Sequence, residues 1–153
     1  MSLPQAGFYN LRITSSNDPG ISPVGGMYAT GQTTGNVVRL AALGNVNPED
    51  RQVWQVDYTG EDTIIIQAAG TNDPMTFMHC NQVEDGEPII LGRPTAFTAN
   101  RIQNEAGLDV ISLTLKRTGV VFYAGQNQDN IMVLTADPEV DIPAWLFVST
   151  SPE

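Results

Sequence analysis

The sequence predicts an all-β fold, and two observations support that prediction. Short runs rich in Val, Ile, Thr, Tyr and Phe are separated almost throughout by Gly, Pro, Asn or Asp, which is the pattern of strands joined by turns. The ten prolines lie outside the interiors of these runs, as the hydrogen-bonded ladders of a sheet require. The runs also recur along the chain in three similar sets.

We predict twelve strands, four in each set. The first set comprises residues 8–14, 27–31, 37–42 and 53–58. The second comprises residues 63–68, 76–80, 88–91 and 97–102, and the third comprises residues 110–115, 120–124, 131–135 and 145–148. The segment 96–106 is the most ambiguous of these, because its apolar period would also suit a short helix.

The three sets indicate an internal repeat of roughly 50 residues. Each set opens with an alternating apolar strand and closes near a large aromatic residue, namely Trp54, Phe97 and Trp145. This arrangement is typical of a β-trefoil, which is a six-stranded barrel capped by three hairpins, with one aromatic residue of each lobe in the core. Closure of the barrel hides the sheet edges. We expect residues 1–153 to form a single β-trefoil domain.

Charge and composition exclude several classes of function. The net charge is −10, with one lysine and six arginines, so the chain lacks the basic face that nucleic acids and anionic membranes require. No apolar run approaches the roughly 18 residues of a membrane-spanning helix. The first residues show no secretion signal, so we expect a cytoplasmic protein. The single cysteine, Cys80, cannot form an internal disulfide.

The sequence offers no convincing catalytic or metal-binding group. His79 and Cys80 are adjacent, and neighbouring residues of a strand point to opposite faces. No second histidine exists to act as a base, and one His with one Cys is too few for a zinc site. We find no paired carboxylates and no phosphate-binding loop. We therefore expect neither an enzyme nor a bound cofactor or metal.

The long segment between the first two strands is the strongest candidate for a functional site. Residues 15–26 contain two prolines and three glycines, so they cannot form a helix and are too many for a tight turn. Loops of this length in a compact domain usually have a function or are disordered, and the composition here favours an ordered loop. Prolines restrict the free loop, and a loop that is already rigid loses less entropy on binding. We predict that this loop inserts into another protein.

Five short segments of the chain stand out together: GFYNLR at 7–12, DPG at 18–20, GGMYA at 25–29, VWQV at 53–56 and PAWLF at 143–147. In these segments the sequence resembles the mycocypins, the mushroom cysteine-protease inhibitors that include clitocypin and macrocypin. The resemblance covers the first third of the chain and its last strand, while the middle matches mainly in strand rhythm. It implies a fungal β-trefoil inhibitor of papain-like proteases, with a role in defence or in the control of endogenous proteolysis.

The resemblance also implies where the protease binds. In this family the loops after the first and third strands wedge into the active-site cleft. Gly26 matches the family glycine at the contact, and a residue without Cβ lets the backbone pass close over a catalytic thiolate. Ile21 and Ser22 lengthen the first loop relative to a shorter family form. The residues so implied are Asn17, Asp18, Pro19, Gly20, Ile21, Ser22, Pro23, Val24, Gly25, Gly26, Asn45, Val46, Asn47, Pro48, Glu49 and Asp50.

A second protease site is implied in the loop after the fifth strand. Some family members inhibit the asparagine-specific protease legumain through an asparagine of this loop. Here Asn72 is the candidate for the specificity pocket, with Thr71 and Asp73 beside it. Asn-Asp-Pro is also ordinary turn chemistry, so both interpretations stay open.

Two other functions remain as alternatives. Gln52-Val53-Trp54 is similar to the Gln-x-Trp motif of β-trefoil lectins, although a single copy is also explained by a tryptophan that fills the core. The turn at 116–119, with Lys116 and Arg117, presents basic residues of the kind that trypsin-like proteases recognise, as do Arg51 and Arg93. A solvated hairpin tip explains the same residues without any function.

Overall fold

The computed structural model describes residues 3–15, 26–44, 51–70, 73–102, 108–136 and 142–150, which are all-β. All twelve predicted strands are confirmed, with boundaries that differ by up to two residues. Segment 97–101 is a strand and not a helix, whereas residues 103–107 lie outside the described residues. The strands are β1 (Gly7–Ser15), β2 (Tyr28–Thr30), β3 (Arg39–Ala41), β4 (Trp54–Tyr58), β5 (Thr63–Ala68), β6 (Phe77–His79), β7 (Ile90–Gly92), β8 (Phe97–Arg101), β9 (Val110–Arg117), β10 (Val120–Gln126), β11 (Met132–Ala136) and β12 (Pro143–Ser149).

Six of the strands close into an antiparallel barrel. Around the barrel the order is β1, β4, β5, β8, β9 and β12, and β12 pairs again with β1. The seam between β1 and β12 is long and runs from the pair Tyr9–Ser149 to the pair Ser15–Pro143. Pro143 is the first residue of its strand, where a missing N–H is tolerated. Because the barrel closes, none of these six strands leaves an unpaired edge.

The other six strands form three hairpins that join at one end of the barrel. The hairpins are β2–β3, β6–β7 and β10–β11. A ring of backbone hydrogen bonds links them: Val38 N donates to Ile89 O (2.8 Å), Ile89 N to Met132 O (2.8 Å) and Met132 N to Val38 O (2.9 Å). Each lobe contributes one donor and one acceptor, so the ring has threefold pseudosymmetry. The barrel with its three linked hairpins is the predicted β-trefoil.

The three predicted aromatic residues fill the core. Trp54, Phe97 and Trp145 are fully buried. Trp54 Nε1 donates to Ala29 O (3.0 Å), and Trp145 Nε1 makes the equivalent bond to Ala124 O (2.9 Å). A buried tryptophan needs such a partner, and the repeated hairpin supplies it in the first and third lobes. Phe97 has no N–H group and fills the corresponding place in the second lobe.

Candidate functional site

The three predicted loops are described by the structure only at their ends. Residues 16–25, 45–50 and 71–72 lie outside the described residues, so the predictions for Asn17 to Gly25, for Asn45 to Asp50, and for Thr71 and Asn72 stay predictions. The residues that precede and follow these segments are described. They show how the barrel holds each loop and how the three loop bases are connected.

The first loop starts and ends on one antiparallel pair of strands. Arg12 of β1 lies opposite Tyr28 of β2, and Ile13 N donates to Met27 O (3.0 Å). The chain that leaves β1 after Ser15 therefore returns directly beside it. This pairing holds both ends of the loop on a rigid strand of the barrel.

Gly26, at the end of this loop, is exposed and has a φ angle of +97°. L-residues rarely adopt this backbone conformation. A Cβ at this position would also meet the guanidinium of Arg12, at 2.5 Å from Cζ and 2.7 Å from Nη2, and would overlap Nε. The positive φ therefore favours glycine here, and a side chain would also displace the Arg12 guanidinium. Both reasons are independent of any contact with a protease. From the sequence alone, only the close approach to a protease was predicted for this glycine.

Gln52 joins the end of the second loop to its beginning and to strand β2. Its side chain is 8% exposed. Nε2 donates to Thr30 Oγ1 (3.0 Å) and to Ala42 O (3.1 Å), while Oε1 accepts from Gly44 N (2.9 Å). The backbone oxygen of Gln52 accepts from Asn10 Nδ2 (2.7 Å). All three polar positions of the side-chain amide are thus engaged at the base of the loops.

Arg51 connects the second loop to the third. Its backbone pairs with Gly31, with N···O distances of 2.9 and 2.7 Å. Its Nη1 donates to Ala69 O (3.1 Å), just before the third loop. Gly70, with φ +82°, lies so close that an added Cβ would be 2.9 Å from Arg51 Nη1. The bases of the three predicted loops are therefore contiguous, and we call them together the loop edge.

Asp73 closes the third loop with ordinary turn hydrogen bonds. Its Oδ1 accepts from Met75 N (2.9 Å), which is an Asx turn. Its backbone oxygen accepts from Thr76 Oγ1 (2.7 Å) and from Gln67 Nε2 (3.2 Å). These bonds explain an aspartate at this position without a protease. Its predicted role beside Asn72 stays a prediction.

Exposed apolar side chains lie next to the loops of the loop edge. Among the described residues, the large exposed hydrophobic side chains are Leu43 (52%), Met75 (38%) and Val148 (37%). Leu43 precedes the second loop and Met75 follows the third. Exposed apolar side chains next to a binding loop supply area that is removed from water when a partner covers them. Neither Leu43 nor Met75 was predicted from the sequence as a site residue.

The role of Gln52 at the loop edge was not predicted, although its position in the sequence contains a clue to it. Residues 52, 54 and 56 share one face of an extended strand, and Trp54 belongs to the core. Gln52 should therefore point inward, and a buried amide requires hydrogen-bond partners. That reasoning predicts a polar anchor at Gln52, but it does not identify the partners.

The hairpin proposed for trypsin-like proteases is a tight two-residue turn. Arg117 pairs with Val120, and the intervening Thr118 and Gly119 have φ angles of 49° and 81°, as in a type I′ turn. Lys116 and Arg117 are exposed, and Arg117 Nη1 donates to Val83 O (3.3 Å). The turn is therefore confirmed, and its recognition by a protease stays a prediction.

His79 and Cys80 point to different surroundings, as expected. Cys80 is buried, whereas His79 Nδ1 contacts Thr95 Oγ1 and His79 Nε2 contacts Asn81 Oδ1, each at 3.0 Å. In the part of the chain that the structure describes, no three His, Cys, Asp or Glu side chains are grouped to hold a metal ion. The same residues include no helix long and apolar enough to cross a membrane.

Burial raises the pKa of the Cys80 thiol to about 11 from an ordinary value of 9.0, and the carboxylates of Glu87 and Glu84 add to the shift. We predict that alkylation at pH 7.5 is at least about 100-fold slower in the folded protein than in denaturant, because the thiolate is the reactive form. Iodoacetamide labelling followed by mass spectrometry measures both rates. Equal rates would contradict the burial of Cys80.

The same shift predicts how stability depends on pH. The folded state keeps its proton on Cys80 at pH values where the unfolded state has lost it. This contribution to stability is therefore complete below about pH 9 and is lost as the pH rises through about 11. A Cys80→Ala variant should lack that part of the alkaline decline in chemical denaturation curves.

The candidate site lies where a closed barrel holds the bases of three loops, which is an arrangement that binding proteins of the β-trefoil class use. A family model described as the peptidase inhibitor clitocypin matches residues 7–147. The match spans most of the chain, so this chain belongs to the clitocypin family of peptidase inhibitors. It is accordingly an inhibitor and not an enzyme, and its partners are proteases. The resemblance to the mycocypins is confirmed. A search of the curated proteins found no match.

Proposed function

We propose that the chain is a cytoplasmic inhibitor of papain-like cysteine proteases and that it blocks the active-site cleft with the β1–β2 and β3–β4 loops. The observation that carries this proposal is that the Gln52 side chain connects the entry of the second loop to β2, the strand that follows the first loop. Two loops held together in this way suit an extended cleft that is wider than one strand of peptide.

Inhibition follows from occupying the cleft without offering a cleavable bond. The first loop is rich in proline and glycine, so it presents backbone rather than long side chains. Hydrolysis requires a scissile carbonyl at near-attack geometry to the thiolate, and a wedge that crosses the cleft need not provide one. Anchored ends reduce the conformational entropy that the loops lose on binding. Both effects favour a tight and long-lived complex.

A second protease specificity is proposed for the third loop, with Asn72 directed at legumain. Two contacts support it. The Asx turn of Asp73 fixes the chain directly after Asn72, and Arg51 holds the chain before the loop through Ala69 O. A short loop fixed at both ends can present a single side chain to a specificity pocket.

Titration against three proteases tests these proposals. We expect stoichiometric inhibition of papain, inhibition of legumain that is lost in Asn72→Ala, and full activity of trypsin. Asn81→Ala is the control for the legumain arm, because it removes the amide of an exposed asparagine that lies beyond β6. Active papain at a molar excess of the protein would refute the main proposal. Trypsin inhibition that is lost in Lys116→Ala or Arg117→Ala would place the site on the β9–β10 hairpin.

Carbohydrate binding is a second candidate, favoured by a groove of about 510 Å³ on the outer face of β8, β9 and β10. A half-buried aromatic ring with amide and hydroxyl groups beside it is suited to a sugar. The residues concerned are Thr98, Asn100, Ser112, Thr114 and Tyr123. Glycan-array binding that is lost in Tyr123→Ala, with no effect on any of the three proteases, would favour this function.

A further inference from the structure

We infer that Gln52 is a positioning residue for inhibition: its side-chain amide fixes the entry of the second loop against the hairpin that ends the first. This inference rests on the proposed function, because it assigns a role in the same protease-binding edge. Gln52 itself is buried, so its side chain offers almost no surface to a protease. It acts through the loop residues that it holds.

The Gln52 side chain bonds to the backbone just beyond the point where the pairing of β2 with β3 ends. The β2–β3 pairing ends at Tyr28 and Ala41. Immediately beyond it, Ala42 O and Gly44 N bond to the two ends of the Gln52 side-chain amide, at 3.1 and 2.9 Å. The chain that enters the second loop is thus held by the side chain of Gln52, which follows the same loop and precedes β4. Without that side chain, both backbone groups lose their protein partner.

The same amide reaches the first loop through strand β2. Its second Nε2 hydrogen bond goes to Thr30 Oγ1, at 3.0 Å, two residues after Tyr28, where β2 begins. One planar group therefore relates the strand that ends the first loop to both ends of the second. Only a glutamine or asparagine side chain has two donors and an acceptor on one amide, and asparagine is one methylene shorter. Neither glutamate nor an apolar residue reproduces this set of bonds.

The backbone around Gln52 is independently held, so a substitution should loosen the loop and leave the barrel intact. Gln52 O accepts from Asn10 Nδ2 (2.7 Å). The backbone N and O of the preceding residue, Arg51, both hydrogen-bond to the backbone of Gly31. None of these bonds uses the Gln52 side chain. Gly44 has φ +81°, and a Cβ added to it would meet no atom of the described residues within 4 Å, so the described part of the chain offers Gly44 few other contacts.

The test compares Gln52→Leu with Gln52→Glu. Leucine removes all three side-chain bonds, whereas glutamate keeps the shape but loses both donors and faces Ala42 O with a carboxylate oxygen. We expect the inhibition constant for papain to rise by about tenfold or more in both variants, because ordering a freed loop opposes binding. Amide hydrogen exchange at Gly44 should accelerate by at least about tenfold in Gln52→Leu.

A stability-matched control separates positioning from general destabilisation. Ile111→Val removes one methylene from a fully buried residue of β9 in the third lobe. We expect a loss of stability comparable to that of the Gln52 variants, with unchanged papain inhibition and unchanged Gly44 exchange. Equal weakening of inhibition in Ile111→Val would overturn the positioning role. Unchanged inhibition in Gln52→Leu despite faster Gly44 exchange would overturn it as well.

The failure of this inference can be told apart from failure of the proposed function. A wild-type protein that leaves papain fully active refutes the proposed function, and Gly44 exchange does not enter that result. Unchanged Gly44 exchange in Gln52→Leu refutes the anchoring by Gln52, whatever the wild-type protein does to papain.

Discussion

Gly26→Ala is expected to weaken the inhibition of papain by roughly 100-fold, equivalent to about 2.7 kcal/mol of binding free energy, while the barrel stays folded. The added methyl group would overlap the Arg12 guanidinium, and alanine disfavours the φ of +97° at this position. Either the Arg12 side chain or the end of the first loop must therefore shift. Inhibition constants and thermal melts of the two proteins measure both effects.

Gly86→Ala is the matched control for Gly26→Ala. Gly86 also has positive φ (+83°), is exposed, and has nothing within 4 Å of an added Cβ. It follows β6 and not the loop edge, so its substitution should leave papain inhibition unchanged. Wild-type inhibition by Gly26→Ala would exclude Gly26 from the contact.

A double variant isolates the clash with Arg12 from the other reasons for a glycine at position 26. Arg12→Ala combined with Gly26→Ala removes the clash but keeps the unfavourable φ and the added methyl group. We therefore expect it to recover only the part of the lost inhibition that the clash causes. Full recovery would assign the whole effect to Arg12, and no recovery would assign it to the backbone conformation and the protease contact. A double-mutant cycle over the four proteins gives the coupling energy directly.

Trp54→Ala is expected to lower the free energy of unfolding by about 4 kcal/mol and the melting temperature by about 10 °C. Trp54 is fully buried, and its loss leaves a cavity and an unpaired Ala29 O. Trp54→Phe keeps most of the apolar volume and loses only the hydrogen bond, so we expect a smaller loss of about 1–2 kcal/mol. Chemical denaturation measures all three proteins.

Trp145→Ala is the matched control, because Trp145 makes the equivalent bond to Ala124 O in the third lobe. We expect similar destabilisation but a different effect on inhibition. An added Cβ on Gly31 would lie 2.9 Å from Trp54 Cη2, and Gly31 pairs with Arg51 at the loop edge. At a temperature where both variants are folded, Trp54→Ala should inhibit papain less well than Trp145→Ala. Unchanged stability of Trp54→Ala would contradict a core role and favour the lectin interpretation of Gln52-Val53-Trp54.

The strand pattern could be predicted because it is local. In β5, Ile64, Ile66 and Ala68 are buried and alternate with more exposed residues, and a period of two can be recognised within six residues. The predicted bounds of this strand, 63–68, are those observed. The three aromatic core positions were predictable for a similar reason, since a repeated lobe places the same kind of residue at regular intervals.

The contacts that shape the loop edge could not be predicted from such patterns. Gln52 bonds to a residue 22 positions away in the chain, Thr30, and Arg51 bonds to one 18 positions away, Ala69. No local period relates these pairs. A functional glycine at position 26 was expected, but the Arg12 side chain that lies against it belongs to β1, 14 residues earlier in the chain.

The amino-acid sequence by itself determined the twelve strands, the threefold repeat, the aromatic core and the family, because hydrophobic alternation and turn chemistry act over a few neighbouring residues. Only the tertiary structure decided that Arg12, Arg51 and Gln52 connect the ends of the three loops. Hydrogen bonds between distant side chains and backbone groups depend on how barrel closure brings the strands together, and no single segment of the chain specifies that arrangement.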